Sequence, residues 1–336
     1  MAYARSFYLA AATRFPLTYF GAKAAERVHP EPEGIGASPV NPAEFISMIP
    51  AAPPLPPLDQ PLAARAQERQ ARARALSDIA FDGSAELEYR AAYAVTPSPK
   101  LLVDAAEAAI AAGHYATGMA AMRQAFPQFE ARRVPEIPNE AWRAGFPLPY
   151  ESSLRSAAAR NQVDAMLVAG LVRQESAFES GAISHAGAVG LMQVLPKTAS
   201  KLARKLKVRY TRARLTNPGY NLQLGSRYLA DLIRAYGTQE AALAAYNAGE
   251  DRVAQWTAGQ NYLEAAEFVE SIPFTETREY VQVVIRNAEV YRQVYGATRA
   301  EETSPAEPEG NRAVKAASTH PVGTEAPRPV RARVNP

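Results

Sequence analysis

Proline sets the strongest limit on how this chain can fold. Ten prolines fall between His29 and Pro61, and a second group lies in the stretch VPEIPNEAWRAGFPLPY, residues 134 to 150. Proline has no backbone donor and a fixed φ, so the first window disfavours regular structure and the second marks a boundary. What remains between and after them carries the spacing of helices. PLAARAQERQARARALSDIA is rich in strong helix formers, and SPKLLVDAAEAAIAAGHYATGMAAMRQAF reads as two helices joined by a turn at Gly113. Small residues at helix contacts suit a solenoid of antiparallel pairs, although no fixed repeat period is evident. The N-terminal stretch reads as an amphipathic helix pair broken at Pro16, with Arg14 and Lys23 interrupting any signal-peptide core.

These breaks suggest a helical, solenoid-like region over 1–145 with a proline-rich connection at 29–61. A compact domain is expected over 146–298. The segment from 299 to 336 is polar and proline-rich, with few large apolar residues, and reads as a disordered tail. Within the compact region every segment has helical spacing, so the fold class is all-α. No segment reaches the roughly eighteen apolar residues that a membrane-spanning helix requires.

Composition removes several chemistries. The chain of 336 residues contains no cysteine, which excludes disulfides, thiolate metal sites and cysteine nucleophiles. His29, His114, His185 and His320 have no pair at ligand spacing, so neither a zinc site nor a haem cofactor is expected. Lys and Arg exceed Asp and Glu by only 37 to 34, and no basic run interleaved with aromatics resembles a nucleic-acid footprint.

The chemistry concentrates in LVAGLVRQESAFESGAISHAGAVGLMQVLPKTA, residues 167 to 199. On a helix, Val168, Leu171, Val172 and Phe178 form one apolar stripe, and Glu175 falls on it. A carboxyl among apolar groups resists ionisation, so Glu175 should remain protonated towards neutral pH. Gly181, Gly187 and Gly190 follow in a loop where backbone can approach a ligand closely. Pro196 then fits the first turn of a new helix. Asn221 is expected to cap a helix whose Leu222, Gly225, Leu229 and Leu232 face inward. Gly249 should end another helix in the left-handed conformation, placing Tyr246 at its last turn.

The segments ESAFESGAISHAGAVGLMQVLPKTA, NPGYN, AAYNAG and FVESIPFTETREYVQVV, in this order, resemble the motifs of the soluble lytic murein transglycosylases. The resemblance implies a lysozyme-like catalytic domain preceded by the end of a helical superhelix, with this chain carrying only the C-terminal part of that superhelix. It implies cleavage of the β-1,4 bond between N-acetylmuramic acid and N-acetylglucosamine in peptidoglycan, with Glu175 as general acid and base and a 1,6-anhydro product. By motif position, Ser184, Gln193, Thr198, Tyr246 and Glu270 would bind substrate, with Tyr246 close enough to bond the Glu175 carboxyl or the sugar. A hydrolytic muramidase of goose-type-lysozyme kind and a noncatalytic glycan-binding protein are the alternatives. The partner would be peptidoglycan glycan strands, with cell-wall machinery conceivable and a monomer the default. A periplasmic or envelope location follows from that substrate rather than from a visible signal peptide.

Overall fold

The structure, a computed structural model, describes residues 2–28, 47–48, 53–127, 129–260 and 262–303. Most of the proline-rich connection and the tail from 304 lie outside the described residues. Among those described, backbone pairing outside helices is limited to isolated bridges, and the fold is all-α as expected.

Helices α1 (Ala2–Arg14) and α2 (Tyr19–Ala25) flank the turn that contains Pro16. Thr18 caps α2 by accepting from Gly21 N at 3.0 Å. The solenoid-like row begins with α3 (Ala64–Asp78), α4 (Asp82–Val95), α5 (Pro99–Ala111), α6 (Tyr115–Ala125) and α7 (Asn139–Gly145). Each of these packs on the next. Alanines dominate the α3–α5 contact, with Ala66, Ala73, Ala85, Ala92, Ala105 and Ala108 all buried. Gly113 turns the chain between α5 and α6 at φ +81°.

The α1–α2 pair does not extend this row. Instead α2 packs against the C-terminal helix, and Lys23 pairs with Glu240 at 3.0 Å while Arg27 pairs with Glu264.

The compact domain consists of α8 (Glu151–Asn161), α9 (Ala165–Ser176), α10 (Pro196–Lys205), α11 (Pro218–Tyr236), α12 (Gln239–Ala248), α13 (Glu250–Thr257), α14 (Ala265–Ser271) and α15 (Thr275–Thr303). Helix α9 runs through its core, where Val168, Leu171 and Val172 are wholly buried. Asp164 starts it by accepting from Met166 N at 2.9 Å. The main partner of α9 is α15, and the two approach so closely that a Cβ on Gly170 would lie 2.7 Å from the Val284 carbonyl oxygen.

Two local expectations are corrected. The cap of α11 is Asn217, which accepts from Tyr220 N at 3.0 Å, whereas Asn221 is fully buried one turn inside the helix. Gly249 does end α12, but at φ +95° and ψ +150°. That is a glycine-only extended conformation rather than the left-handed helical one, and it lets α13 start at the next residue.

Candidate active site

Glu175 lies in the last turn of α9, one residue before the helix ends. The stripe that buries Val168, Leu171 and Val172 carries its side chain to the edge of the core, where it remains partly exposed. Desolvation raises its pKa from the ordinary carboxylate value to about 7, opposed by one hydrogen bond. The donor is Tyr280 of α15, whose hydroxyl lies 2.5 Å from Oε1. Among the described residues no other carboxylate perturbs this titration.

The backbone beyond Glu175 is unusual. Ala177 and Phe178 are successive left-handed residues, at φ +50° and +66°, although neither is glycine. This double turn drives Phe178 into the core, so it is buried by the turn rather than by helical periodicity. Ser176 Oγ donates to the Leu191 carbonyl at 2.8 Å and so ties the helix end to the following loop.

That loop, residues 181 to 195, is folded back on itself through bridges pairing Val189 with Ile183 and with Val194. Gly187 and Gly190 both have positive φ, whereas Gly181 does not. Asn221 holds the fold from below: its Oδ1 accepts from Met192 N, and its Nδ2 donates to the carbonyls of Val189 and Leu215, all at 2.8 Å. Any side chain on Gly190 would strike Asn221 and the Leu215 carbonyl at 2.3 Å. Gly225 in α11 similarly leaves room for Met192, whose sulfur lies 2.4 Å from where a Cβ would be.

The sequence-derived residues fall into distinct settings. Ser184 closes a turn of the loop, accepting from Ala188 N at 3.1 Å. Gln193 is left-handed at φ +44°, and its Nε2 donates to the carbonyls of Ala182 at 3.1 Å and Gly190 at 2.8 Å. This leaves the side-chain oxygen as the group with acceptor capacity for a ligand. Thr198 stands in the first turn of α10, partly exposed.

Tyr246 is close enough to Glu175 for the carboxylate to contribute to keeping its phenol protonated, after desolvation. Its hydroxyl, however, donates to the Met192 carbonyl at 2.6 Å, and its ring packs on Tyr228 with centroids 5.2 Å apart. The phenol that bonds Glu175 is therefore Tyr280, which sequence reasoning did not single out although it lies in the quoted ETREYV segment.

Glu270 is separated from this group. It is exposed on α14 and accepts from Gln282 Nε2 at 2.9 Å. Gln282 lies two residues after Tyr280 on α15, about 200° around the helix, so Glu270 is on the flank away from Glu175. It also adds to the negative field at Tyr19 of α2.

Together these elements form an all-α site with one weakly acidic, apolar-embedded carboxyl beside a loop fixed by buried hydrogen bonds. Residues 152–269 match the family described as Transglycosylase SLT domain. The chain is 35% identical over 161 residues to a soluble lytic murein transglycosylase of Salmonella typhimurium, spanning 46% of this chain and 25% of the relative. It is 34% identical over 157 residues to the Escherichia coli K12 protein of the same name, spanning 45% of this chain and 24% of that relative. Among solved structures, an inactive mutant of lytic transglycosylase Slt from Pseudomonas aeruginosa is similar with a TM-score of 0.60 and 26% identity, over 86% of this chain and 43% of that one. The 70 kDa soluble lytic transglycosylase from Escherichia coli gives a TM-score of 0.57 at 26% identity, over 83% and 41%. The likeness thus extends beyond the SLT domain into the helical row, while the chain spans about a quarter of the curated relatives' length.

Proposed function

We propose that this chain cleaves peptidoglycan as a lytic transglycosylase, with Glu175 as general acid and then general base. The observation that carries the reading is a carboxyl with pKa about 7 that no second carboxylate perturbs among the described residues. Protonated, it can donate to the glycosidic oxygen between N-acetylmuramic acid and N-acetylglucosamine as that bond breaks. The resulting carboxylate can take the proton of the muramic 6-hydroxyl, whose oxygen closes on C1 to give the 1,6-anhydro ring. Net atoms are conserved without water. A retaining glycosidase would need a second carboxylate about 5–5.5 Å away as nucleophile. The Tyr280 hydrogen bond fixes the carboxyl and stabilises its charged form during the second step.

In this reading Ser184, Gln193, Thr198 and Tyr246, carried by the loop, α10 and α12, line the glycan groove. Of these, Gln193 offers its free acceptor to a sugar hydroxyl or N-acetyl N–H. Glu270, facing away, is assigned at most to a distal part of the substrate. A murein substrate places the activity in the cell envelope.

The test is mass analysis of the sugars released from purified peptidoglycan by the native chain and by Glu175→Gln. Products lighter by one water than hydrolysed muropeptides, absent with the variant, are the expected result. Reducing-end products would make the protein a muramidase, and no release by the native chain would favour a glycan binder.

A further inference from the structure

Resting on the reading of Glu175 as the acid and base, we infer that Arg173 is a positioning residue that pins the last turn of α9, and with it Glu175, to the junction between the helical row and the compact domain. The junction is the segment from Gly145 to Pro147, where α7 ends and the chain turns towards α8. Three consecutive backbone carbonyls there accept from three side chains of the compact domain. Arg173 donates to Gly145 O, Tyr295 to Phe146 O at 2.8 Å and Tyr291 to Pro147 O at 2.8 Å.

Arg173 does more than fill this row. Its guanidinium stacks 4.0 Å over the Phe146 ring and contacts the sulfur of Met119 on α6. It also bonds Tyr291, whose ring packs edge-on to Phe178 at 6.4 Å. The guanidinium is enclosed, and its charge meets no carboxylate among the groups acting on it; Arg123 and Arg286 add repulsion instead. An enclosed cation without a counter-ion is a costly way to hold a fold together. A long apolar side chain could fill the same space, so stability alone does not call for arginine here.

Position explains it better. Arg173 precedes Glu175 by two residues and faces about 200° away, so it grips the back of the turn whose front carries the carboxyl. Its own carbonyl accepts from Ala177 N at 3.1 Å, the bond that closes that turn before the left-handed pair. Fixing Arg173 from behind and Phe178 through Tyr291 leaves the strained turn no room to relax.

The experiment compares Arg173→Met, Arg173→Lys and Tyr295→Phe with the native chain. Glu175→Gln is run in parallel, and kcat, KM and the pH profile are measured on solubilised peptidoglycan strands together with Tm. A displacement near 1 Å costs about 10²-fold in rate, so Arg173→Met should lose about that in kcat with KM within about twofold. Its alkaline limb should move to lower pH as water reaches the carboxyl. Arg173→Lys should recover little, since an ammonium cannot both stack on Phe146 and reach Gly145 O. Tyr295→Phe removes a junction donor without touching α9, and should lower Tm while leaving kcat and the pH profile unchanged. The inference is overturned if Arg173→Met keeps native kcat and pH profile, or if Tyr295→Phe loses kcat to the same degree. Full activity in Glu175→Gln would instead remove the catalytic reading itself, an outcome distinguishable from either.

Discussion

The central feature at the scale of single residues is a carboxyl that the fold makes weaker as an acid. Burial raises the Glu175 pKa to about 7, so its contribution to stability is complete below the unfolded value near 4.5 and is lost as pH rises through about 7. A gap of that size corresponds to roughly 3 kcal/mol. Glu175→Gln should therefore be more stable than the native chain at pH 8 by roughly 2–3 kcal/mol, and nearly equal to it at pH 4. Thermal melts at the two values check this, and equal differences at both would show that the carboxyl is not desolvated. Tyr280→Phe acts on the same group with the opposite sign. Losing a hydrogen bond that favours the carboxylate should raise the Glu175 pKa further and move the alkaline limb of the rate profile upward, with lower kcat because the general base is less well stabilised.

Among the elements, the decisive contacts are backbone approaches, and these separate what was legible in the sequence from what was not. A Cβ on Gly170 would meet the Val284 carbonyl at 2.7 Å and Ala288 N at 2.9 Å, neither of which can rotate away. Gly170→Ala should spread α9 from α15, weaken the Tyr280–Glu175 bond and lower both Tm and kcat, despite alanine's higher helix propensity. Unchanged Tm would show the helices to be less tightly crossed.

The helix stripe, the glycine loop and Pro196 could be read locally because each rests on spacing or on a single residue's φ. Tyr280 could not, since its bond to Glu175 spans 105 residues and arises only from the pairing of α9 with α15. Asn221 was misplaced for a related reason. NPGYN offers two asparagines, and only the packed loop shows that Asn217 caps while Asn221 serves Met192, Val189 and Leu215. Asn221→Leu should leave those buried groups unpaired and destabilise the domain by about 3 kcal/mol, measurable as a loss of denaturant midpoint.

For the whole molecule, the division read from prolines does not give the place of the first two helices, of which α2 packs against α15. Nothing in α1 or α2 signals a partner more than two hundred residues away; that partner appears only when α15 folds back beside α2. The fastening is electrostatic as well as apolar. Lys23 reaches Glu240, a carboxylate with side-chain exposure of 7%, and although burial works to lower the lysine's pKa, Glu240 and Glu26 raise it overall. A pair this enclosed is costly to break from one side because the remaining charge stays desolvated. Lys23→Met should thus destabilise the chain by about 3 kcal/mol, whereas Lys23→Met combined with Glu240→Gln should lose much less. A coupling energy near zero in that double-mutant cycle would mean that the N-terminal helices rest on the domain through Leu17, Tyr19 and the Arg27–Glu264 pair instead. A large coupling would show that α2 and α12 fold as one unit beside α15, the helix that carries Tyr280.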